Sequence, residues 1–280
     1  LGDLVEPDVA IVTSVAEGHL EGLRDLAGVL EEKTSLLDTV REGGWAVVAD
    51  EPPELAARAR ERFHAVRTAG LAPAADEHPD EWSAGPEGIR LRWRGQEARA
   101  SLLGAYGARN VMIALAAARV LNVAPAAAAR AVAAFRGLPM RAERRDLGSL
   151  TLLVDCYNAN PGSFRAAIDA ASAMAGARPK AALVGSMLEL GPESAALHRR
   201  TAKEIVRAGF APIGASGAFA AAFEPMRDAL GDRLVTGTDP VDLYAEFARR
   251  LSGSEVVLLK ASRGVQLERV LPGFERDFQR

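Results

Sequence analysis

The side chains best suited to chemistry are concentrated in one stretch, VDCYNANPGSF, at residues 154–164. Behind an apolar run it places a carboxylate, a phenol and two carboxamides: Asp155, Tyr157, Asn158 and Asn160. Asn, Pro, Gly and Ser all form turns, and Ser163 is predicted to be the N-cap of a following helix. Each residue can therefore be explained by the turn alone, but a cap needs one such side chain and not four. The string as a whole favours a site for a polar ligand.

Further polar residues follow three other apolar runs in the second half of the chain. They are Ser186 to Glu189, Ser216, and Lys260 to Arg263. If the runs are parallel strands, their carboxyl ends meet at one edge of a sheet, which is where such sheets bind ligands. This edge is therefore predicted to collect all of these side chains.

The second half of the chain has the alternation of a doubly wound α/β domain. Apolar runs predict strands at 150–155, 180–185, 211–216, 233–237 and 255–260. Helices are predicted between them at 163–175, 194–208, 217–229 and 240–251, with a closing helix after the last strand. Continuous apolar strands that alternate with helices are typical of a parallel sheet covered on both faces.

The first half is less regular. Apolar runs at 8–15 and 45–50 predict strands, and residues 88–103 predict a hairpin because their pattern alternates around Gly95. Residues 73–88 are rich in Pro, Gly and acids and are predicted to be a loop. Helices are predicted at 17–40, 54–63, 108–123 and 124–138.

The length of 280 residues suggests one large or two ordinary domains. The charged, irregular segment 139–149 is predicted to be the linker. The predicted domains are therefore residues 1–138 and 139–280.

Composition excludes several classes of function. Hydrophobic residues make up 49% and charged residues 25% of the chain, as in ordinary globular proteins. The net charge of −3, without a basic block, argues against nucleic-acid binding. The single Cys156 excludes an internal disulfide and fits a reducing compartment. No run of about 18 apolar residues and no signal-like start is present, so a cytoplasmic protein without membrane insertion is predicted.

Five motifs resemble, in the same order, those of the Mur ligases, and within that family the branch that adds D-alanyl-D-alanine to UDP-N-acetylmuramoyl-tripeptide. They are SVAEGHLEGL, GARNVMIALAAARVL, DCYNANPGSF, VGSMLELGPESAALHRR and VVLLKASRGVQLERVL, which begin at residues 14, 107, 155, 184 and 256. The set spans nearly the whole chain. The resemblance implies a partial central ATPase domain followed by a Rossmann-like, doubly wound C-terminal domain.

The resemblance also implies an ATP-dependent, amide-forming ligase of peptidoglycan synthesis. In the family, ATP phosphorylates the substrate carboxylate, and the amine of D-Ala-D-Ala then displaces phosphate. Such chemistry needs a metal and cations to hold the phosphates and donors to hold the developing oxyanion. The implied ligands are ATP, Mg²⁺, UDP-MurNAc-tripeptide and D-Ala-D-Ala.

In the first half, the resemblance implies catalytic and metal-binding roles for two residues. His19 resembles a magnesium ligand of the family, and Lys33 resembles a lysine that its members carry in carbamylated form. Carbamylation needs a neutral amine, so the site must lower the pKa of Lys33, which the neighbouring Glu31 and Glu32 would oppose. The alternatives are a structural histidine and a lysine on a solvated helix face. Asn110 resembles the start of an adenine-contacting helix and is otherwise an N-cap.

In the second half, the resemblance implies that Arg141 contacts nucleotide and that Asp155 is both catalytic and nucleotide-binding, together with Tyr157, Asn158 and Asn160. Arg141 is otherwise one of many charges in the linker.

Substrate binding is implied for six further residues: Ser186, Glu189, His198, Lys260, Ser262 and Arg263. His198 could equally be an exposed helix residue. Arg263 could equally be an ordinary surface charge.

The sequence departs from the family pattern at the phosphate site. The family carries a G-x-x-G-K-T/S loop, whose amides and lysine hold the phosphates of ATP, whereas these 280 residues contain no Gly-Lys pair. Six motif positions also differ, with Ser14, Arg109, Ile113, Val154, Ser186 and Ala261 where the family has Asn, His, Asn, Asp, Asp and Gly. These changes fit either relaxed catalytic demand or tolerated variation.

We therefore expect a truncated form that lacks the N-terminal domain and the P-loop and does not catalyse efficiently. One alternative is a non-catalytic binding or assembly module derived from the family, and another is a different ligase of the superfamily, against which the YNANP string argues. An incomplete first domain is predicted to expose a sheet edge, which a homodimer contact or a partner chain would cover.

Overall fold

The computed structural model describes residues 2–18 and 20–279. The chain divides into two compact units, Leu1–Arg136 and Gly137–Arg280. None of the described helices is long and apolar enough to cross a bilayer.

The first unit is built on a parallel sheet of three strands in the order β1 (Val9–Val12), β2 (Trp45–Ala49) and β3 (Val66–Ala69). The two strands expected from apolar runs are confirmed, and β3 was missed because VRTA is short and contains an arginine. Arg67 is accommodated there because its guanidinium lies over the Trp45 ring, at 5.2 Å from the ring centroid. Among the described residues β1 pairs only with β2.

The described residues of the first unit form six helices: α1 (Gly2–Val5), α2 (Leu20–Leu23), α3 (Leu26–Ser35), α4 (Pro53–Arg62), α5 (Gly104–Val120) and α6 (Pro125–Ala134). The single helix predicted over 17–40 is wrong, because the chain breaks between α2 and α3. Arg24 adopts a positive φ of 69°, and the Asp25 side chain caps the new helix by accepting from the Gly28 amide at 2.8 Å. A capping aspartate starts a new helix more readily than it continues an old one.

A second, antiparallel sheet contains β4 (Glu81–Gly85), β5 (Gly88–Trp93) and β6 (Gln96–Ala100). The predicted hairpin is confirmed, with Arg94 and Gly95 at positive φ in its two-residue turn, as such turns require. The loop predicted over 73–88 is wrong where β4 lies. The polar β4 sequence has no strand signal of its own, and its pairing with β5 supplies the order.

A buried carboxylate joins the two sheets of the first unit. Glu77 is 2% exposed and accepts hydrogen bonds from Trp93 Nε1 at 2.9 Å, Arg94 Nη2 at 2.9 Å and Arg67 Nη1 at 3.0 Å. Burial alone raises the pKa of Glu77, but the hydrogen bonds from Arg94 and Trp93 and the charge of Arg67 outweigh it and lower the pKa overall. Glu77 is therefore a charged structural group.

The second unit contains one six-stranded sheet in the order β11-β10-β9-β12-β8-β7. Its strands are β7 (Glu143–Leu147), β8 (Leu150–Asp155), β9 (Lys180–Val184), β10 (Ile213–Ser216), β11 (Leu234–Gly237) and β12 (Val256–Lys260). All neighbours are parallel except β7, which runs antiparallel to β8. The predicted doubly wound sheet is confirmed, and so are its five apolar strands.

The linker predicted over 139–149 is wrong where β7 lies. This strand is highly charged, with Arg145 paired to Glu143 at 2.8 Å and Arg144 paired to Asp146 at 3.0 Å. Charged edge strands are common because they discourage pairing with other chains, but their composition gives no strand signal. The strand conformation of β7 comes from its backbone pairing with the buried β8.

Within residues 137–279 the helices number six: α7 (Pro161–Ala175), α8 (Ser194–Arg207), α9 (Ala218–Phe223), α10 (Arg227–Leu230), α11 (Pro240–Ala248) and α12 (Leu271–Phe278). The helix predicted over 217–229 is wrong as one element, because Pro225 lies in a 3₁₀ turn between α9 and α10. Phe247 and Phe274 pack with alternate residues of β8 and β12, and Phe164 packs against Phe219 in a tilted arrangement with ring centroids 5.0 Å apart.

Candidate functional site

The structure brings the predicted polar residues of the second unit to one edge of its sheet. Asp155, Ser216 and Lys260 are the last residues of β8, β10 and β12, and Ser186 lies two residues after β9. We call the loops that follow these four strands, together with residues 138–142 before the antiparallel β7, the carboxyl edge. Its formation follows from parallel pairing, which places every strand end on the same side.

Lys260 and Asp155 occupy paired positions on β12 and β8. Lys260 is fully buried, and its ammonium donates to Asp155 Oδ2 at 2.6 Å and to the Asn158 carbonyl at 3.1 Å, with the Asp155 carbonyl at 3.4 Å. These three acceptors occupy all three N–H donors of a lysine. Lys260 thus holds the loop after β8 in place, and its implied contact with substrate charge stays a prediction.

Two serines join the loops of the carboxyl edge. Ser262 Oγ accepts from the Leu188 amide at 2.9 Å and lies 3.4 Å from the Ala159 carbonyl, so it connects the loops after β12, β9 and β8. Ser186 Oγ accepts from the Ala218 amide at 2.8 Å, which connects the loops after β9 and β10. Both hydroxyls are engaged within the protein, and their implied substrate contacts stay predictions.

His198 on α8 fixes the loop after β9 from beneath. It is fully buried, so the alternative of an exposed helix residue is wrong. Its Nε2 accepts from the Met187 amide at 2.9 Å, and Nδ1 lies 2.7 Å from the Ser194 carbonyl, a pattern that the neutral Nδ1–H tautomer satisfies. Burial lowers the pKa of His198, and this outweighs the opposing effect of the bond to Ser194.

We expect the stability of the second unit to fall as the pH drops below about 6.5, the ordinary pKa of histidine. A lowered folded-state pKa means that the unfolded state binds more protons in this range, so stability is full above it and declines by up to about 1.4 kcal/mol per pH unit until the folded pKa is reached. Urea titrations followed by circular dichroism at several pH values measure this slope.

The matched control replaces an exposed histidine. Glutamine can both accept and donate at position 198, so His198→Gln should remove the slope, whereas His64→Gln on the exposed His64 should leave it unchanged. A wild-type slope in His198→Gln would contradict the assignment.

Asn160, and not Ser163, is the N-cap of α7. The Asn160 side chain accepts from the Ser163 amide at 2.8 Å, and Ser163 Oγ accepts from the Asn160 amide at 3.0 Å, which forms a capping box. The sequence favoured serine because Pro161 and Gly162 resemble the end of a turn, but proline is well suited to the first helical position. Asn158 is exposed, and its Oδ1 accepts from the next amide at 2.8 Å.

Five predicted residues of the carboxyl edge are exposed enough to meet a ligand: Arg141, Tyr157, Asn158, Glu189 and Arg263. Arg141 stacks on Tyr157, with Cζ 4.1 Å from the ring centroid, and both are exposed. Glu189 is exposed and adopts a positive φ of 61°. Arg263 is also exposed but is paired with Glu268 at 2.5 Å.

Backbone strain in the second unit is concentrated at this edge. Its described non-glycine residues with positive φ are Met140, Ala142, Glu189 and Gln266, with values of 59°, 51°, 61° and 55°. Each costs about 1–2 kcal/mol relative to ordinary backbone. Strain of this kind is retained where the surrounding structure enforces it, commonly at functional sites.

In the first unit, Lys33 on α3 is half-buried and its ammonium donates to the Ser14 carbonyl at 2.7 Å. Burial lowers the pKa of Lys33. Glu31 does not oppose this as the sequence suggested, because its carboxylate is paired with Arg58 at 2.7 Å and also with Arg62. Burial therefore shifts Lys33 toward the neutral amine that carbamylation requires, and its carbamylation stays a prediction.

Two other residues of the first unit, His19 and Asn110, were predicted to bind metal and nucleotide. His19 lies outside the described residues. Asn110 is half-buried within α5, which begins at Gly104, so neither a helix start nor an N-cap is correct for it. The described residues contain no group of three metal-ligating side chains, and Lys33 is the one predicted metal ligand among them.

Sequence reasoning missed a buried ion pair at the end of β2. Asp50 Oδ2 accepts from the amides of Leu71 and Ala72 at 2.8 and 2.9 Å, and Oδ1 accepts from Arg109 Nε at 2.8 Å. Arg109 also pairs with Glu51 at 2.7 Å. A carboxylate directly after an apolar strand is the signal that pointed to Asp155, and it applies equally to Asp50.

The fold and its polar carboxyl edge define a doubly wound α/β domain of the kind that binds nucleotides and other polar ligands. The family model of the Mur ligase middle domain matches residues 1–118, and that of the Mur ligase, glutamate ligase domain, matches residues 140–263. The chain belongs to the Mur ligase family.

Comparison with individual relatives supports the same family. The chain is 29% identical over 279 residues to the UDP-N-acetylmuramoyl-tripeptide–D-alanyl-D-alanine ligase of Bacillus subtilis, covering 97% of this chain and 60% of that protein. The enzyme of the same name from Mycobacterium leprae is 27% identical, with 95% and 58% covered. The chain therefore spans about three-fifths of the length of these relatives.

Solved structures agree in fold. MurF from Acinetobacter baumannii superposes with a TM-score of 0.85 at 20% identity, covering 99% of this chain and 61% of that one. MurF from Thermotoga maritima in complex with ADP superposes with a TM-score of 0.82 at 23% identity, covering 99% and 64%. Both parallel sheets therefore belong to a Mur ligase architecture.

Proposed function

We propose that this chain carries the middle and C-terminal domains of a ligase that uses ATP to join D-Ala-D-Ala to UDP-MurNAc-tripeptide. The observation that carries the proposal is the YNANP loop at the carboxyl edge. This loop is held by Lys260 beneath it and by the capping box of α7, while Tyr157 and Asn158 are exposed. A loop fixed from below with polar groups facing outward is prepared for a ligand.

Two exposed residues of the carboxyl edge, Arg141 and Asn158, suit this chemistry. ATP supplies the phosphoryl group that activates the substrate carboxylate. Phosphoryl transfer depends on positioning and on cations that offset developing charge, a task for the exposed guanidinium of Arg141. Asn158 uses its side-chain oxygen internally and can offer its amide N–H groups to a ligand. Asp155 is engaged by Lys260 and by the Ala142 amide at 3.1 Å, so we assign it to holding the edge in place.

The first unit supports the proposal through Lys33. Its half-buried amine has a lowered pKa and no carboxylate partner among the described residues, and we infer that it is the modified lysine. The described residues do not by themselves form a magnesium site. A carbamylated Lys33 would supply one oxygen ligand for Mg²⁺, which would offset charge on the phosphates of ATP. ATP and a UDP-linked peptide are cytoplasmic substrates, and we assign the protein to that compartment.

The test is a ligation assay on the protein expressed from its complete reading frame. With ATP, UDP-MurNAc-tripeptide and D-Ala-D-Ala, we expect ADP, phosphate and the pentapeptide product by mass spectrometry. Single D-amino acids in place of the dipeptide should give no product. Asn158→Ala should lower the rate, and Arg144→Gln, on the paired edge strand β7, should not. Efficient ligation of a single amino acid would reject the dipeptide assignment.

A second candidate rests on the carboxyl edge itself, because its exposed Arg141, Tyr157 and Asn158 suit ligand binding with or without catalysis. It is a non-catalytic binding or assembly module, in which the outer edge of β1 contacts another copy or a partner chain. For the 280-residue chain assayed alone we expect no efficient ligation. A G-x-x-G-K-T/S loop that holds the phosphates of ATP typically lowers the reaction barrier by several kcal/mol, and these residues do not include one. Calorimetric binding of D-Ala-D-Ala without turnover by the complete protein would favour the module.

A further inference from the structure

We propose that Tyr157 is a positioning residue that holds the Arg141 guanidinium ready to receive a phosphate group at the carboxyl edge. The inference rests on the proposed function and deepens it, since it assigns how this edge receives an anionic ligand. It also changes the role of Tyr157 from a direct ligand contact to a support for Arg141.

The stacking geometry restricts the arginine. Arg141 Cζ lies 4.1 Å from the centroid of the Tyr157 ring, well inside the range of a cation–π contact. A guanidinium stacked on an aromatic face keeps its in-plane N–H donors free for a planar or tetrahedral oxyanion. The ring therefore restrains the position of the guanidinium without using its N–H donors.

The backbone on both sides of Arg141 is also held. The Tyr157 amide donates to the Met140 carbonyl at 3.1 Å, and the Ala142 amide donates to Asp155 Oδ1 at 3.1 Å. Met140 and Ala142 both adopt positive φ, at 59° and 51°. Non-glycine residues accept this conformation at a cost, which indicates that the structure enforces the path of the chain around Arg141.

Apart from its contact with Tyr157, the Arg141 guanidinium forms no ion pair in the part of the chain that the structure describes. No carboxylate pairs with it among residues 2–18 and 20–279, although most arginines in this chain have one. The nearby acids are occupied, Asp155 by Lys260 at 2.6 Å and Glu143 by Arg145 at 2.8 Å. A held, unpaired guanidinium at a sheet edge suits a phosphate, because arginine stays charged and binds phosphate oxygens in pairs.

The experiment titrates the 280-residue chain with pyrophosphate and follows the Arg141 Nε–Hε signal by nuclear magnetic resonance. In the wild type this signal should be shifted upfield by the Tyr157 ring and should move on addition of pyrophosphate. Tyr157→Phe keeps the ring and should behave like the wild type. Tyr157→Leu should lose the upfield shift and bind pyrophosphate about fivefold more weakly, the value of an exposed cation–π contact of about 1 kcal/mol.

Two arginine variants complete the design. Arg141→Gln should abolish the binding curve, and Arg144→Gln, whose side chain is paired with Asp146, should leave it unchanged. Wild-type affinity in Arg141→Gln or in Tyr157→Leu would overturn the proposal. Equal affinity for acetate would overturn the assignment to phosphate.

The ligation assay separates this inference from the proposed function. Pyrophosphate binding that depends on Arg141 and Tyr157, in a complete protein that does not ligate, would support the inference and reject the ligase. Ligation with an unchanged KM for ATP in Tyr157→Leu would reject the inference alone.

Discussion

We expect Lys260→Met to lower the free energy of unfolding of the second unit by about 3–5 kcal/mol, the usual cost of breaking a buried ion pair from one side. Methionine fills a similar volume, so the loss comes from the missing charge and not from a cavity. The variant leaves Asp155, whose side chain is 19% exposed, without its cation, and it leaves the Asn158 carbonyl without a donor. The loop after β8 should open along with the loss of stability.

Two further variants isolate the ion pair. In Lys260→Met with Asp155→Asn both charges are gone, and we expect at least half of the lost stability to return. Lys180 begins the adjacent strand β9 at the opposite end of the sheet. Its ammonium contacts the Ala208 carbonyl and Ser172 Oγ and meets no carboxylate of the described residues. Lys180→Met should therefore cost only about 1 kcal/mol.

The measurement exploits the distribution of tryptophan. Trp45, Trp82 and Trp93 all lie in the first unit, so their fluorescence follows that unit, whereas circular dichroism follows both. Hydrogen exchange of peptides covering 150–163 should show faster opening in Lys260→Met. If Lys260→Met and Lys180→Met had equal exchange rates and equal free energies of unfolding, the ion pair of Lys260 and Asp155 would not stabilise the second unit more than an ordinary hydrogen bond.

The second large effect is expected at Glu77 in the first unit. Glu77→Gln keeps the shape but removes the charge that two arginines share, and we expect a loss of about 2–3 kcal/mol, because hydrogen bonds to charged groups are the stronger ones. The cost is below that of a fully buried pair because Arg94 is 40% exposed. Urea unfolding followed by tryptophan fluorescence measures it, and Trp93 itself donates to Glu77.

The control for Glu77 is an exposed pair in the same unit. Glu81 accepts from Arg92 at 2.7 Å with 74% of its side chain exposed, so Glu81→Gln should change stability by less than about 0.5 kcal/mol.

The lowered pKa of Glu77 also makes the stability of the first unit depend on pH. The wild type should lose stability as the pH falls below the ordinary glutamate pKa of about 4.3, and Glu77→Gln should lose less. Equal losses in the two glutamine variants would contradict the role of Glu77.

Local sequence pattern was sufficient for the doubly wound sheet of the second unit. Its five parallel strands are continuous apolar runs, and their order with helices leaves few topologies. Strands that lack such runs were not predictable: β3 contains Arg67, β4 is polar, and β7 is mostly charged. Each gains its order from backbone pairing with a buried neighbour, which composition does not record.

The sequence by itself determined which side chains reach the carboxyl edge, because strand ends and parallel direction follow from local pattern. Only the tertiary structure decided which of these side chains are already bonded to other groups of the protein. Lys260 meets Asp155 across 105 residues of chain, and Arg109 meets Asp50 across 59. Since a polar side chain binds whichever partner the fold brings within about 3 Å, residue type alone cannot distinguish a group that holds a loop from one that awaits a ligand. At this edge Lys260, Ser262 and His198 hold loops in place. The stacked pair of Arg141 and Tyr157 is exposed, as a group that awaits a ligand must be.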